Sequence, residues 1–159
     1  MQALIIFGAK YLFAIVVLLA AYVWWRLPKD KRWRVVIQAA VGLAVAAILV
    51  KVAGAIHPDL RPFVEHHFTP LFPQRGDNGF PSDHTTFTML AALTILPYAR
   101  RWGWSLAALA LVVGLCRVAA GVHSLQDIAG GVVVAASSAG IAYYATQWIA
   151  KTWHQKTKA

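Results

Sequence analysis

Five long stretches of this sequence are apolar and nearly free of charge, and this pattern constrains the fold more than any other feature. Each approaches the ~17–25 residues that an α-helix needs to cross a bilayer. The predicted spans are roughly 3–25, 35–55, 84–99, 104–121 and 127–150. Charged residues make up 13% of the chain, whereas a soluble domain carries about a quarter. The sequence predicts an all-α integral membrane protein: a compact bundle of about five transmembrane helices, forming one domain over 1–159.

The first apolar stretch argues against a cleaved signal peptide. Residues 3–25 are too long for the h-region of such a signal, and no small-residue cleavage site follows them. The single cysteine, Cys116, excludes an intrachain disulfide.

Basic residues are distributed unequally between the two ends of the predicted spans. Ten of the 15 Lys and Arg residues lie at one end: Arg26, Lys29, Lys31, Arg32, Arg34, Arg100, Arg101, Lys151, Lys156 and Lys158. Positively charged loops face the cytoplasm, so this end is predicted to be cytoplasmic, with the C-terminus inside and the N-terminus outside. The net charge of +9 is therefore ascribed to membrane topology and not to a nucleic-acid partner.

The opposite, outer end has a different composition. Its ionisable residues are four cations (Lys51, Arg61, Arg75, Arg117), five histidines (57, 66, 67, 84, 123) and five acids (59, 65, 77, 83, 127). Topology does not explain this mixture. Ionisable groups near membrane spans are costly, so they are functional candidates by default.

Three polar segments are expected to converge at this outer end. They are "KVAGAIHPDLRP" after the second span, "PSDH" before the third, and "CRVAAGVHSLQD" between the fourth and fifth. Lys51, Arg61 and Arg117 lack an obvious run of partner acids, and an anion with several oxygens, such as phosphate, would satisfy them. Ser82 is placed to cap the third helix, whose free N–H groups can seat a phosphate.

Two histidines supply reactive groups to this predicted anion site. His123 and Asp127 are four residues apart, so on a helix the carboxylate can hold one ring nitrogen and leave the other as a nucleophile or base. His84 is suited to protonating a leaving oxygen. The residues therefore predict a phosphoryl-transfer site with its own nucleophile, and no metal or cofactor is expected.

These three blocks resemble the signature of the type 2 phosphatidic acid phosphatase superfamily, which also includes the vanadium haloperoxidases. A lysine followed by Arg-Pro is matched by Lys51, Arg61 and Pro62; Pro-Ser-Gly-His by Pro81, Ser82, Asp83 and His84; and Ser-Arg-x5-His-x3-Asp by Cys116, Arg117, His123 and Asp127. The spacing of the third block matches fully. The resemblance covers roughly residues 51–127.

The resemblance implies a role for each matching residue. His123 would attack phosphorus to form a phosphohistidine, Asp127 would orient it, and His84 would protonate the leaving group. The residues implied to bind the phosphate are Lys51, Arg61, Ser82, Asp83 and Arg117. Donors preorganised around oxygens that change charge contribute most in the transition state.

The sequence departs from the family pattern at several positions. Nine residues separate Lys51 from Arg61 where six are usual, Cys116 replaces a serine, and Asp83 replaces a glycine. The family core usually has six spans, and five are predicted here. Asp83 and "RPF" look like the bacterial undecaprenyl-diphosphatase branch, whose site faces outward. Our hypothesis is that Asp83 faces Arg61 or Arg75 and tunes the site for a diphosphate.

The resemblance implies a lipid phosphatase of the bacterial cytoplasmic (inner) membrane. Undecaprenyl diphosphate is the first expected substrate, and its hydrolysis would recycle the cell-wall lipid carrier. Phosphatidylglycerophosphate, phosphatidic acid and a lipid A phosphate are alternatives of the same class. A small anion transporter is the rival from a different class. A serine-type hydrolase using Ser82 and His84 is disfavoured because the two residues are badly placed for a nucleophile and its base.

Overall fold

A computed structural model describes the backbone of residues 1–156 and the side chains of residues 1–152. Over those residues the chain forms seven α-helices: α1 Gln2–Lys10, α2 Leu12–Arg26, α3 Lys29–Ile56, α4 Pro62–Glu65, α5 Asp83–Ile95, α6 Arg100–Ala119 and α7 Leu125–Lys156. Of the predicted basic tail, Lys158 lies outside the described residues.

The helices confirm an all-α membrane bundle. Within the described residues, α3, α6 and the part of α7 up to Thr152 are each long and apolar enough to cross a bilayer. The consecutive helices α1 and α2 satisfy the same criterion together, which gives up to four spans. Large apolar side chains remain exposed on the bundle surface, for example Leu18, Ile48 and Val133. Such a surface is suited to lipid and not to water.

The first predicted span, 3–25, is broken into two helices that are bent by 49°. The break follows Lys10, where Tyr11 donates its N–H to the carbonyl of Phe7 at 2.8 Å. Gly8 lies directly against the side chain of Cys116 on α6, in a space that a Cβ would fill. The absence of a side chain at Gly8 therefore lets α1 approach α6 closely just before the break.

The third predicted span, 84–99, is shorter in the structure than the sequence indicated. Helix α5 has 13 residues, which at 1.5 Å per residue span about 20 Å. This is less than the ~30 Å hydrocarbon thickness of a bilayer. Pro97 explains the early end, because proline lacks the N–H needed to continue the helical hydrogen-bond pattern.

Helix α5 lies inside the bundle and begins below the ends of its neighbours. It packs against α2, α3, α6 and α7. A Cβ on Gly103 would lie 2.7 Å from Leu96 Cδ1, and one on Gly114 would lie 2.9 Å from Thr85 Oγ1. Both contacts fix α5 and α6 as an antiparallel pair in register. Helix α6 continues five residues past Gly114 to Ala119, whereas α5 begins only two residues before Thr85, at Asp83. At about 1.5 Å per residue, α5 therefore starts about 4.5 Å below the end of α6.

Candidate active site

The turn between α6 and α7 carries a buried histidine–aspartate pair. His123 Nδ1 lies 3.0 Å from Asp127 Oδ2. The two residues are 3% and 0% exposed, so the pair is shielded from water. The i, i+4 arrangement expected from the sequence is thus formed at the start of α7.

The same carboxylate also closes the first turn of α7. Asp127 Oδ2 accepts a hydrogen bond from the backbone N–H of Ser124 at 2.9 Å. In return, Ser124 Oγ accepts one from the backbone N–H of Asp127 at 3.1 Å. This reciprocal pair is a capping box, which satisfies backbone donors that a helix start otherwise leaves free. Asp127 is therefore held rigidly while it contacts His123.

Arg61 determines which nitrogen of His123 carries the proton. Arg61 Nη1 lies 3.2 Å from His123 Nε2. A guanidinium can only donate, so Nε2 must accept and the ring proton must sit on Nδ1, where it is donated to Asp127. This contact requires a neutral ring, with the Nε2 lone pair directed at Arg61.

The charge state of His123 agrees with this geometry. Burial, the largest effect, lowers the pKa of His123 below its ordinary value of 6.5, and the nearby cations Arg117 and Arg61 lower it further. The hydrogen bond to Asp127 acts in the opposite direction. The net lowering of the pKa favours the neutral ring, with Nε2 unprotonated, at neutral pH.

Arg61 itself is fixed by a residue that the sequence reasoning missed. Its Nη2 forms an ion pair with Asp77 Oδ1 at 2.9 Å, and its Nε donates to the same oxygen at 3.0 Å. Nη1 also donates to the carbonyl of Val122 at 3.1 Å. These contacts leave Arg61 7% exposed, in direct contact with the residue before His123 and with His123 itself.

Asn78 joins the segments that carry these groups. Its side-chain amide donates to the carbonyl of Gly54 on α3 at 2.8 Å. Its side-chain oxygen accepts from the backbone N–H groups of Asp59 and Phe80 at 2.9 and 3.0 Å. Asn78 therefore ties the end of α3 to the loop that leads into α5.

Arg117 is a buried cation without a carboxylate partner. It is 3% exposed, and within residues 1–152 it forms no ion pair. Its Nη1 donates to the carbonyl of Ala9 at 3.1 Å, while its Nε has no hydrogen-bond partner in the described part of the chain. An unpaired buried charge is costly, so this guanidinium is suited to receiving an anion.

Ser82 precedes α5 but does not cap it with its side chain. It is fully buried, and its Oγ accepts a hydrogen bond from Thr85 Oγ1 at 3.2 Å. Its backbone N–H donates to the carbonyl of Asp127 at 3.1 Å, which joins the start of α5 to α7. Because Ser82 makes no side-chain capping bond, the first N–H groups of α5 are not satisfied by its hydroxyl, as an anion seat requires.

His84, two residues after Ser82 and the second residue of α5, lies at the edge of the same cluster. It is half-buried, and its ring centroid lies 5.1 Å from that of Phe13. It is within electrostatic reach of Arg117, His123 and Arg61. The structure thus gathers His84 with the three groups that the sequence reasoning grouped with it.

The hypothesis that Asp83 faces Arg61 or Arg75 is wrong. Asp83 is exposed and forms no ion pair with any residue in 1–152, while Arg61 is paired with Asp77. The neighbouring cation on which Asp83 acts electrostatically is Arg117. As an acid at the first position of α5, Asp83 also interacts favourably with the helix dipole.

Lys51 lies at the rim of the cluster and outside its hydrogen-bond network. It is exposed on α3, one turn before Gly54, whose carbonyl Asn78 binds. Its assignment as a phosphate ligand stays a prediction, as do the roles of the other site residues.

Asp59 is a second acid beside Asp127 that the sequence reasoning did not select. Its side chain is within hydrogen-bond reach of Asp127, and burial followed by the charge of Asp127 raises the pKa of Asp59. Across the described residues, no three His, Cys, Asp or Glu side chains group closely enough to hold a metal ion.

One of the missed residues left a signal in the sequence and two did not. Ser124 and Asp127 form a Ser-x-x-Asp pattern before an apolar run, which is typical of a capping box. Asp77 and Asn78 lie in an irregular loop 16 and 17 residues from Arg61. No periodicity connects a loop residue with a partner so distant.

Comparison with known families identifies the class of protein to which the chain belongs. Residues 35–151 match the PAP2 superfamily, and this stretch contains every residue of the candidate site. The chain belongs to the PAP2 superfamily, and it is a phosphatase, a hydrolase acting on phosphate compounds.

Individual relatives are similar over most of the chain. The Escherichia coli protein named "Putative undecaprenyl-diphosphatase YbjG" is 38% identical over 135 residues, covering 84% of this chain and 67% of that protein. The bacitracin transport permease protein BcrC of Bacillus licheniformis is 31% identical over 140 residues, covering 87% and 68%. The undecaprenyl-diphosphatase BcrC of Bacillus subtilis is 29% identical over 135 residues, covering 85% and 69%.

Proposed function

We propose that this protein hydrolyses undecaprenyl diphosphate to undecaprenyl phosphate and inorganic phosphate. The observation that carries the proposal is the orientation of His123, whose Nε2 faces the buried guanidinium of Arg61. Arg117 is buried nearby and forms no ion pair within residues 1–152. The names of the Escherichia coli and Bacillus subtilis relatives support the choice of lipid.

In the first step, His123 Nε2 attacks the terminal phosphorus of the diphosphate. A bond forms between Nε2 and phosphorus while the bond from phosphorus to the bridging oxygen breaks. His84 delivers its proton to that oxygen, so the leaving group departs as the lipid monophosphate. Asp127 holds the Nδ1 proton and stabilises the positive charge that the ring acquires.

In the second step, water hydrolyses the phosphohistidine. His84, now neutral, removes a proton from the attacking water, the phosphorus–Nε2 bond breaks, and inorganic phosphate leaves. His123 returns to its neutral form and His84 regains its proton. The cycle consumes one water and needs no external acid or base.

Several groups are available to bind the transferred phosphoryl oxygens. Arg117 has an unused Nε, and Arg61 can shift Nη1 from His123 to an oxygen without losing Asp77. The backbone N–H groups at the start of α5, beside Ser82, complete the seat. Lys51 reaches this seat by extending its flexible side chain from the rim.

An apolar groove provides a place for the isoprenoid tail. It lies between α2, α3 and α5, has a volume of about 590 Å³, and is lined by apolar side chains such as Val17, Leu43 and Leu90. Phe13 lines this groove and also contacts the ring of His84. A tail in the groove would therefore lead directly to the phosphate site.

The proposed orientation places the site on the outer face of the cytoplasmic (inner) membrane and the C-terminus inside. The excess of Lys and Arg at the other end supports it. A cysteine introduced at Gly76, in a Cys116→Ser background, should react with a membrane-impermeant maleimide added to intact cells. If the cysteine is labelled only after lysis and not in intact cells, the proposed orientation is wrong and the site faces the cytoplasm.

The function is tested by phosphate release from undecaprenyl diphosphate by purified protein in a metal chelator. We expect activity in the wild type, none in His123→Ala, and wild-type activity in the control His66→Ala, an exposed loop histidine. Full activity in His123→Ala would refute the nucleophile. A requirement for added metal would refute the metal-free mechanism. Phosphatidylglycerophosphate, phosphatidic acid and a lipid A phosphate, assayed in parallel, test the substrate.

Transport of an anion is the second candidate, because one relative carries the name of a transport permease. It predicts transport of phosphate across the membrane of proteoliposomes and no release of phosphate from undecaprenyl diphosphate. Hydrolysis without transport would exclude it.

A further inference from the structure

The break between α1 and α2 contacts two residues of the proposed site. Ala9 is fully buried, and its carbonyl accepts the hydrogen bond of Arg117 Nη1. Four residues later, Phe13 contacts the ring of His84. This short segment therefore lies against both a proposed phosphate ligand and the proposed acid.

Lys10 lies in the chain between Ala9 and Phe13, and the proposed hydrolysis mechanism does not use it. It is exposed, and within residues 1–152 its ammonium group forms no ion pair. A cation at this depth of a membrane protein normally pairs with an anion or reaches the interface.

The position of the Lys10 ammonium is restricted by aromatic rings. Its Nζ lies 5.7 Å from the ring centroids of both Tyr11 and Phe72, within the ~6 Å range of cation–π contacts. Phe72 is buried, and the neighbouring Leu71 donates its N–H to the carbonyl of Ala120 after α6. The ammonium group of Lys10 thus lies next to the loop that contains Phe72, and Leu71 joins this loop to the end of α6.

A diphosphate lipid presents a phosphate that a monophosphate lipid lacks. When the terminal phosphoryl group is transferred, the phosphate that stays on the lipid becomes the leaving group and gains negative charge. His84 must be next to that leaving oxygen, and Phe13 brings the α1–α2 break next to His84. A cation on this segment would stabilise the leaving phosphate more in the transition state than in the bound substrate.

We propose that Lys10 binds the phosphate that remains on the lipid, and that it makes the enzyme prefer diphosphate over monophosphate lipids. The inference rests on the proposed function, and it assigns to Lys10 the selectivity that the sequence suggested for Asp83. Lys10 acts as a specificity-determining residue and takes no part in covalent chemistry.

The test compares kcat/KM for undecaprenyl diphosphate and undecaprenyl phosphate, two substrates with the same tail. Lys10→Gln should lower kcat/KM on the diphosphate about tenfold, the effect of one hydrogen bond to a charged group, and leave the monophosphate unchanged. Lys10→Arg should restore the preference. Arg75→Gln, which removes an exposed cation from the loop that contains Phe72, is the control and should change neither value.

Inhibition by inorganic ions provides a second readout that does not depend on turnover of the monophosphate lipid. Lys10→Gln should weaken competitive inhibition by inorganic pyrophosphate and leave inhibition by inorganic phosphate unchanged. An equal loss on both substrates, or an unchanged preference together with reduced thermal stability, would overturn the inference. Failure of the wild type to hydrolyse the diphosphate would instead refute the proposed function, and the inference with it.

Discussion

Replacement of Asp127 by asparagine separates the charge of this residue from its hydrogen bonds. In the structure, Oδ2 accepts from both His123 Nδ1 and the N–H of Ser124. An asparagine oxygen can occupy the same position and accept both bonds, so the capping box is retained. What is lost is the negative charge that faces His123 when the ring becomes cationic on bonding to phosphorus.

The size of the effect follows from the separation of the two charges. Opposite unit charges about 4 Å apart interact by about 4 kcal/mol at an effective dielectric constant near 20. A neutral hydrogen bond that replaces the charged one retains about 0.5–1.5 kcal/mol. The net loss of about 2.5–3.5 kcal/mol predicts that kcat for phosphate release falls by about 70- to 400-fold.

The assay measures kcat and thermal stability of purified Asp127→Asn next to Ser124→Ala. The second variant removes the cap hydroxyl and leaves the carboxylate, so it should lose about 1 kcal/mol of stability and little activity. A kcat for Asp127→Asn within about threefold of wild type, less than 1 kcal/mol, would refute a charge role. Equal losses of activity in the two variants would attribute the effect to the helix start.

Two further predictions concern the same cluster. Because burial lowers the pKa of His123 below 6.5, the unprotonated nucleophile persists as pH falls. The acid limb of the kcat/KM profile, which reports protonation of His123, should therefore lie below about pH 6.5, while the basic limb reports loss of the proton from His84. An acid limb already complete at about pH 7 would contradict this. Gly79→Ala should lower kcat, because its Cβ would lie 3.1 Å from Asp127 Oδ2 and 3.3 Å from Arg61 Cγ, whereas Gly140→Ala meets nothing within 4 Å and should behave as wild type.

The sequence was sufficient for features that depend on local spacing. Apolar runs set three of the long helices, and the four-residue separation of His123 and Asp127 was enough to predict their contact. Both depend on helix geometry, which can be inferred from the residue spacing within a single segment.

Features that depend on contacts between segments were not predictable in the same way. The break after Lys10 accompanies the close approach of Gly8 to Cys116, more than 100 residues away. The ion pair of Arg61 with Asp77 depends on the path of the loop before α5, which Asn78 anchors to the carbonyl of Gly54 on α3. Hydropathy also overestimated the length of α5, because the predicted span ran through Pro97 to residue 99, whereas the helix ends at Ile95, before the proline.

The recessed start of α5 has an energetic consequence for a lipid substrate. Helix α6, with 20 residues, is about 30 Å long and matches the hydrocarbon core, so a site about 4.5 Å below its end lies beneath the level of the lipid headgroups. Lifting a lipid by about 4.5 Å to a site outside the bilayer would expose about four chain carbons, at about 0.8 kcal/mol each, or about 3 kcal/mol. By receiving the headgroup from the side at this depth, the proposed site would avoid extracting the tail, and the substrate would reach it by two-dimensional diffusion in the membrane.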